Sequence, residues 1–506
     1  MSLALPDRAP RDATTHIGLQ LTRQLSARLE EAGIRYCHFK SNQHLAEALQ
    51  GVTDMDVLVD RRAGPRLTQI LGELGCKRFS APPAGGYPAV EDHLGLDRPT
   101  GRLIHLHLHH RLTAGERHLK GYRLPWEELV LSTSRKDPAS GFRAADPDVE
   151  CLLLLVRSAL KLGVAERVLA WFERAEVGAD EAREFAWLMK RVDRERLVDL
   201  GESLLGKPTG SALREIVSHG LSVGRLLALR RRGRAALDLC RSYTRTEAFL
   251  RCSWRMLVLG LCAIGRKLSS PPLPVSRVNP RGGLLIAFVG ADGSGKSSLA
   301  QRVVTWLRWK LDARVAYFGS GDGPSSLLRL PFRQVLRLVI ARRGGTRQDI
   351  TPLRDRVPTG VRALWALLLA LEKRRRLRQA WRARNRGLVV VCDRYPQNQI
   401  MGFTDGPLLD RWQHSRSPWL RMLARWESAP YMWAQAHPPD LVLRLRVSPG
   451  VALRRKPEMR IEDVARREHA AGQLRFPTAT RVRDVNANQP WDDVLLECKR
   501  EVWEEL

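Results

Sequence analysis

Residues 284–304, LLIAFVGADGSGKSSLAQRVV, constrain the fold of this chain more than any other stretch. An apolar run from Leu284 to Val289 meets a glycine-rich turn, and an amphipathic stretch from Ser298 to Leu307 follows. Residues of the turn satisfy the pattern G-x-x-x-x-G-K-[ST], namely Gly290, Gly295, Lys296 and Ser297. A buried parallel strand, a tight turn and a helix are therefore predicted, which is typical of an α/β fold.

This turn predicts a phosphate-binding loop. Glycines let the backbone bend so tightly that successive N–H groups converge on phosphate oxygens, and the positive end of the following helix adds to the attraction. The Lys296 side chain can reach the β and γ phosphates, and the Ser297 hydroxyl can bind Mg²⁺. ATP and Mg²⁺ are the predicted ligands, bound at Gly290, Gly293, Ser294, Gly295, Lys296, Ser297 and Ser298. The alternative is a plain glycine turn.

The length and charge of the chain bound its organisation. A length of 506 residues exceeds what one hydrophobic core usually holds, so two or three domains are expected. The net charge is +30, and the basic residues lie along the whole chain. Nucleic acid, an anionic membrane surface or a polyanionic substrate could exploit that charge. An arginine-biased genome is the alternative explanation.

The cysteines and apolar runs predict a cytoplasmic protein. The eight cysteines contain no C-x-x-C pair, which favours reduced thiols. The first residues lack a basic region followed by an apolar core, so no secretory signal is predicted. The longest apolar run, Met256 to Ile264, is half the length that a membrane span needs. A buried helix is favoured there; contact with a membrane surface is the alternative, because Arg255 and Arg266 flank the run.

An acidic pair and a histidine strand stand out in the first part of the chain. Strands are predicted at 36–40 and 55–59, with a helix at 44–49 between them. Asp54 and Asp56 share one face of their strand and could chelate a divalent cation. Alternating His105, His107 and His109 point to one side of a later strand and could face the two acids. Imidazole suits zinc or another transition metal better than magnesium.

The order strand, K-S-N, helix, D-x-D strand resembles the minimal nucleotidyltransferases over roughly residues 30–112. The resemblance implies an α+β domain with a second divalent metal at Asp54 and Asp56, and His107 stands near the place of that family's third acid. Ser41 replaces the glycine of the family's turn. Three interpretations follow: a degenerate domain that only binds, an active one with altered metal use, or a polar strand without function.

Helical periodicity and a proline-rich stretch divide the rest of the chain. Residues 146–267 carry apolar residues at spacings of three and four, with helices predicted at 149–162, 165–174, 180–192, 194–205 and 211–239. Residues 268–283, LSSPPLPVSRVNPRGG, predict a linker. The predicted domains are 1–145, nucleotidyltransferase-like; 146–267, helical; and 284–506, an α/β domain around the phosphate loop.

Downstream strands and helices alternate, which predicts a parallel sheet with its chemistry at the carboxyl ends of the strands. Strands are expected at 315–318 and 388–392, and a helix at about 361–382. Asp393 ends the second strand, where an acid can hold Mg²⁺. Arg394 beside it could clamp a phosphate. The alternative for this pair is a surface salt bridge.

The combination G-x-D-G-S-G-K-S with a later V-C-D-R-Y resembles the thymidylate kinase family of P-loop kinases, over about residues 284–506. Residues 439–445 look like its late strand, 454–460 like its mobile lid, and 485–490 like the final strand and loop against the nucleotide base. The resemblance implies that Asp292 faces the acceptor sugar or a metal-bound water, Asp393 the metal, and Arg394 the acceptor phosphate. It also implies that Arg455 and Arg460 face the transferring phosphoryl group and that Asn488 lies near the base.

Departures from this pattern leave the acceptor open. The family's R-E-P-G segment is replaced by residues 317–323, and Glu372-Lys373 replaces its D-R pair. The order of the two halves looks like proteins encoded beside polysaccharide-assembly enzymes. The expected function is an ATP-dependent phosphotransferase of nucleoside monophosphate kinase type, with dTMP the first acceptor to test. Alternatives are a kinase acting on a sugar, polyol or lipid-linked phosphate, and a nucleotide-switched protein that binds nucleic acid or membrane.

Overall fold

The computed structural model describes residues 18–82, 85–87, 89–115, 119–162, 176–268, 274, 276–319, 359–400 and 406–506. The contact pattern divides the chain into two compact units. The amino-terminal unit comprises residues 1–78 and 84–258, and the carboxy-terminal unit 79–83 and 259–506. Each combines helices with a β-sheet, which confirms the predicted α/β class. The finer domain boundaries stay a prediction.

A seven-stranded mixed sheet organises the amino-terminal unit, in the order β3-β4-β5-β2-β1-β9-β8, and β6 pairs with β7 separately. The strands are β1 (Tyr36–His38), β2 (Met55–Val59), β3 (Lys77–Phe79), β4 (Val90–Asp97), β5 (Arg102–His109), β6 (Leu112–Ala114), β7 (Tyr122–Leu124), β8 (Arg135–Lys136) and β9 (Arg143–Ala144). In the sheet, β2 runs antiparallel to β1 and parallel to β5. The predicted strand at 55–59 is confirmed, and the one at 36–40 ends at His38.

Helices cover this sheet and extend it. They are α1 (Gln20–Glu31), α2 (Leu45–Leu49), α3 (Gly64–Glu73), α4 (Glu127–Thr133), α5 (Pro147–Lys161), α6 (Ala179–Leu188), α7 (Arg194–Leu205), α8 (Thr209–His219), α9 (Val223–Arg232) and α10 (Arg234–Leu239). The next helix, α11 (Arg245–Leu268), begins in this unit and ends in the carboxy-terminal one. The single helix predicted at 211–239 is wrong, since α8, α9 and α10 replace it. The first break falls at Gly220, whose φ of 81° ends α8. The helix predicted at 165–174 lies outside the described residues.

Helix α5 is buried around nearly its whole circumference. Proline at its first position and the Asp146 carboxylate, which accepts from the Asp148 N–H at 3.2 Å, fix its start. Its leucines pack in one core with Cys37 and Leu58 of the sheet and with residues of α7 and α8. The strands and the helical segment of this unit therefore share a hydrophobic core.

A five-stranded sheet organises the carboxy-terminal unit, in the order β11-β12-β10-β13-β14. All four of its pairings are parallel. The elements are β10 (Leu284–Gly290), α12 (Lys296–Leu307), β11 (Ala313–Tyr317), α13 (Thr359–Asn385), β12 (Val389–Asp393), α14 (Pro418–Ala436), β13 (Leu441–Arg446), α15 (Pro449–Arg455), α16 (Ile461–Gln473), β14 (Arg481–Asn486) and α17 (Trp491–Glu505). The strand predicted at 284–289 is confirmed. Residues 485–490, predicted as a final strand and loop, comprise the last two residues of β14 and the turn after it.

The central position of β10 determines which strands flank the loop that follows it. From β10 the chain goes to β11 on one side of the sheet, and from β12 it crosses to β13 on the other. The loop after β10 therefore lies between the ends of β12 and β13, in register with both. Ligands of open parallel sheets bind at such a reversal of strand order.

Helix α11 contradicts the prediction of a buried helix around Met256. None of the residues between Thr246 and Gly265 is buried, and this stretch is long and apolar enough to cross a membrane. The uninterrupted apolar run from Met256 to Ile264 is too short to span a membrane, but the helix that contains it reaches the required length between Thr246 and Gly265. Periodicity identified the helix but could not tell whether other residues cover it.

Candidate functional site

The glycines of the loop after β10 are required by their surroundings. Gly290, Gly293 and Gly295 have φ angles of 149°, 85° and 92°. A Cβ on Gly290 would lie 2.6 Å from the carbonyl oxygen of Leu445, and one on Gly293 would lie 3.0 Å from that of Ala452. The loop thus needs glycine both for its backbone angles and for its close approach to β13 and α15.

Lys296 folds back over this loop. Its side chain is buried, and Nζ donates to the Ala291 carbonyl oxygen at 2.6 Å. The same ammonium group lies 3.5 Å from Ser294 Oγ and 3.8 Å from Asp292 Oδ1. The loop therefore holds one positive charge at the centre of its curve.

Helix α12 begins at Lys296, and the N–H of Leu299 makes its first bond of the helical ladder, to Gly295 at 2.9 Å. The N–H groups before Leu299 have no helical carbonyl to bind, and they carry the positive end of the helix dipole. Ser297 and Ser298 are exposed at this end. The geometry suits an anion at the loop, and Ser297 lies on the first turn of the helix, where its hydroxyl could bind a cation.

Asp393 ends β12 directly beside the loop strand, where it is in register with Phe288. The carboxylate is 2% exposed, and its Oδ1 has no hydrogen-bond partner among the described residues. A buried carboxylate oxygen needs a partner. A cation or a bound water would supply one, so Asp393 has the character that a metal ligand needs.

Arg394 has a backbone that arginine rarely adopts, with φ at 70°. Its N–H donates to the Phe288 carbonyl at 3.1 Å, and its guanidinium Nη2 lies 2.5 Å from Asp292 Oδ1. The guanidinium of Arg467 contacts the other oxygen of Asp292. One loop carboxylate thus connects two arginines to the phosphate-binding loop.

Sequence reasoning missed Arg467, because it assigned the mobile arginines to 454–460. The signal was present in α16: Val464 and Ala471 are buried, and Arg467 lies between them on the same helical face. An arginine on an inward face needs a carboxylate partner.

The three remaining residues predicted for this site, Arg455, Arg460 and Asn488, do not all contact the loop after β10. Arg455 Nη1 lies 3.4 Å from the Gly293 carbonyl oxygen, and Nη2 donates to Ala487 at 2.9 Å. Asn488 accepts from the Ser448 N–H at 2.8 Å. Arg460 is exposed at the start of α16. Arg455 therefore touches the loop, while Asn488 ties the turn after β14 to the start of α15.

Glu372 and Lys373 lie buried on α13. Glu372 pairs with Arg376 at 2.5 Å, and the Lys373 ammonium lies 4.7 Å from the centroid of the Tyr431 ring. A cation on an aromatic face is an attractive contact. Lys373 thus takes part in packing between α13 and α14, while Glu372 pairs within α13.

The amino-terminal unit brings the acidic pair and the histidine strand together. In the sheet, His107 is in register with Asp56 on one side and Asp92 on the other. The contacts are His105 Nδ1 to Asp54 Oδ1 at 2.8 Å, His105 Nε2 and His107 Nε2 to Asp92 Oδ1 at 3.0 Å each, His107 Nδ1 to Asp56 Oδ1 at 3.3 Å, and His109 Nε2 to Asp56 Oδ1 at 3.1 Å. We name these three histidines and three aspartates the His-Asp cluster. Sequence reasoning missed Asp92, which the antiparallel strand β4 contributes.

Two groups within the cluster have ligand atoms close enough to share one metal ion. They are Asp54, His105 and His107, and Asp56, His107 and His109, with ligand atoms within 4.8 Å of one another in each group. Mixed imidazole and carboxylate donors suit zinc and related transition metals.

Burial and neighbouring charges shift the pKa values of the cluster in opposite directions. Burial acts to raise the pKa of Asp56, but Lys40, 2.7 Å away, and the histidines outweigh it and hold that pKa well below its usual value. Burial acts to lower the pKa of His107, but hydrogen bonds to Asp56 and Asp92 outweigh it and raise that pKa. Burial lowers the pKa of His109 to about 4. A neutral His109 keeps a lone pair for a metal.

The turn after β1 has the left-handed backbone for which a glycine was expected, because Ser41 has φ at 55°. Its N–H donates to Glu184 at 3.0 Å, and the Asn42 N–H donates to Glu150 at 2.8 Å. Burial raises the pKa of Glu150 to about 7. Carboxyl groups from the helical segment therefore occupy the N–H donors of this turn.

The chain is similar in sequence to proteins that are named as ATP-binding. The chain is 28% identical over 219 residues to the uncharacterized ATP-binding protein YghS of Escherichia coli strain K12, a match that covers 42% of this chain and 89% of that protein. It is 28% identical over 225 residues to the uncharacterized ATP-binding protein YghR of the same strain, covering 43% of this chain and 86% of that protein. No family model matches the chain.

Proposed function

We propose that this protein is an ATP-dependent phosphotransferase of the P-loop kinase type. One observation carries the proposal. At the carboxyl ends of the parallel strands, the loop after β10 is surrounded by Lys296, the buried Asp393 carboxylate and the Arg394 guanidinium. Phosphoryl transfer asks a protein mainly for in-line positioning and for positive charge around the moving group. The names of the relatives YghS and YghR, both ATP-binding proteins, support the nucleotide.

The reaction transfers the γ-phosphoryl group of ATP to an acceptor oxygen. A bond forms from that oxygen to the γ-phosphorus, the bond from the γ-phosphorus to the β,γ-bridging oxygen breaks, and ADP leaves. The loop N–H groups bind the phosphates, Lys296 neutralises the β and γ oxygens, and Arg394 orients the acceptor phosphate. Ser297 and Asp393 would hold Mg²⁺, which supplies further positive charge to the triphosphate.

Two proposals for this site differ in the molecule that accepts the phosphoryl group. A nucleoside monophosphate such as dTMP is the first acceptor to test, and a sugar, polyol or lipid-linked phosphate is the second. The intact protein with labelled ATP and a panel of these acceptors decides between them by where the label appears. ATP that is bound but never turned over on any acceptor would contradict the kinase proposal and favour a nucleotide-switched binding protein.

A second function is proposed for the amino-terminal unit, namely binding of a divalent transition metal by the His-Asp cluster without nucleotidyl transfer. The two ligand groups that share His107 favour the metal. The nucleotidyltransferase-like turn has its Ser41 and Asn42 N–H groups bonded to Glu184 and Glu150, so these donors are not available to a triphosphate.

Metal analysis of the full-length protein, purified without a histidine tag, tests this second proposal. We expect about one equivalent of zinc or a related metal. We expect His107→Ala to lose it and His44→Ala, which changes an exposed histidine on the same unit, to keep it. A metal-free wild-type protein that takes up no added zinc would overturn the proposal.

A further inference from the structure

Helix α11 presents an apolar stripe to the solvent. Its members are spaced three or four residues apart and so lie on one helical face. They are Leu250, Trp254, Leu257, Leu261 and Ile264, exposed by 65%, 65%, 52%, 57% and 56%. From first to last the stripe is about 21 Å long, at 1.5 Å per residue. Phe249 and Met256, also exposed, widen it.

The opposite face of α11 is partly covered. Cys252, Arg255, Val258, Cys262 and Gly265 follow one another along it, and each is half-buried. Arg255 donates to the carbonyl oxygen of Gly86 and lies 5.0 Å from the centroid of the Tyr87 ring, within the amino-terminal unit. The two faces thus differ: one carries contacts to protein, and the other carries large apolar side chains in water.

This asymmetry argues against a transmembrane orientation. A membrane-spanning helix needs apolar residues around its whole circumference, whereas α11 carries Arg251 and Arg255 within the stretch that is long enough to span. Arg251 also pairs with Glu247 at 2.8 Å and lies over the Tyr243 ring. Arg251 and Arg255 both lie outside the stripe, and a helix that keeps its charged residues away from an apolar face lies parallel to a membrane surface.

Charge identifies the surface that the stripe fits. The α11 sequence carries five basic residues and one acidic residue, and the whole chain has a net charge of +30. Anionic lipid headgroups attract basic residues beside an apolar helical face. A protein partner would need an acidic rim around an apolar groove to match the same pattern, whereas an anionic bilayer offers both properties over any length.

We propose that α11 binds the surface of an anionic lipid bilayer, with its apolar stripe in the acyl region and the exposed Arg251 beside the stripe near the headgroups. The proposal goes beyond the phosphotransferase and does not depend on it, because it needs neither nucleotide nor acceptor. It places the protein at a membrane surface without crossing it.

Sedimentation of the full-length protein with phosphatidylglycerol-containing vesicles tests the proposal, in the absence of nucleotide. We expect binding to these vesicles and at most weak binding to pure phosphatidylcholine. The double variant Trp254→Glu/Leu261→Glu should lose affinity by about tenfold or more, because it removes two apolar side chains that the acyl region would bury. The matched control Val52→Glu/Leu239→Glu adds the same charge at two exposed apolar positions outside α11 and should bind like the wild type.

Further outcomes would overturn the proposal. Equal binding by both double variants would mean that net charge alone drives attachment. Resistance of bound protein to alkaline carbonate would mean that α11 spans the bilayer. A dimer in lipid-free solution that the Trp254→Glu/Leu261→Glu variant dissociates, with no vesicle binding by the wild type, would make the stripe a contact between copies. Circular dichroism of both variants should match the wild type, because every substituted residue is exposed.

Discussion

The Arg394 guanidinium lies 2.5 Å from the Asp292 carboxylate, which connects the end of β12 to the phosphate-binding loop. Arg467 contacts the same carboxylate from α16. Asp292 compensates both charges and holds the two half-buried guanidinium groups beside the loop after β10. The arginines are thus positioned before a ligand binds, which reduces the ordering cost of binding.

The left-handed backbone of Arg394 makes an unusual stability prediction. Both Arg394→Gly and Arg394→Ala remove the guanidinium, but only glycine adopts a φ of 70° without a steric penalty. We expect the glycine variant to be the more stable by about 1 kcal/mol, the reverse of the usual order at most positions. Thermal unfolding of the two variants measures the difference. An alanine variant that unfolds at the higher temperature would contradict the backbone geometry.

Replacing Lys296 should weaken nucleotide binding. The ammonium group lies at the centre of the loop, and a charge-assisted bond of this kind is worth about 1.5–3 kcal/mol. Lys296→Ala should therefore lower the affinity for MgADP by about tenfold or more in calorimetry. Arg302→Ala, an exposed change on the same helix, is the control and should bind as the wild type does. Unchanged affinity of the lysine variant would remove the loop from the nucleotide site.

Asp393→Asn should separate binding from transfer. The amide has the shape of the carboxylate without its charge, so the packing around residue 393 stays the same while the capacity of this side chain to hold Mg²⁺ falls. We expect phosphotransfer to drop by about 10²-fold or more, and metal-free ADP to bind nearly as before. Asp493→Asn on the exposed first turn of α17 controls for the loss of one negative charge. Wild-type turnover in the Asp393 variant would exclude this carboxylate from the reaction.

The buried Glu150 should make the amino-terminal unit less stable as pH rises. Burial raises the pKa of this carboxyl from 4.5 to about 7 in the folded state, so the folded protein retains a proton that the unfolded chain releases between these values. Stability is highest below about pH 4.5 on this account, and it falls by about 3 kcal/mol on going to pH 7. Urea unfolding from pH 5 to 7 should show a flatter profile for Glu150→Gln than for the wild type. Glu195→Gln, on the exposed first turn of α7, should keep the wild-type profile.

Local patterns were sufficient for the loop and its strand. The apolar run, the glycines and the Lys296-Ser297 pair are contiguous, and each depends on its neighbours in sequence, so β10 was predicted within one residue of where it ends. The position of Asp393 at the end of β12 could be predicted for the same reason, since the end of a parallel strand is a local signal.

Contacts between distant segments could not be predicted in this way. Arg467 meets Asp292 across 175 residues, and Asp92 joins the His-Asp cluster because β4 pairs with β5 in a particular register. The exposure of α11 depends on what packs against it, and a helical pattern contains no such information. These features follow from tertiary pairing, which a single sequence leaves open.

The parallel order of the carboxy-terminal sheet has a consequence for how the loop forms. Phe288 pairs with Asp393 on one side and with Leu443 on the other, and the space that excludes a side chain at Gly290 is bounded by Leu445. Pairings so distant along the chain give a high contact order and slow folding. During synthesis, we therefore expect the loop after β10 to take its final shape only after β13 has left the ribosome, although its own residues emerge about 150 residues earlier.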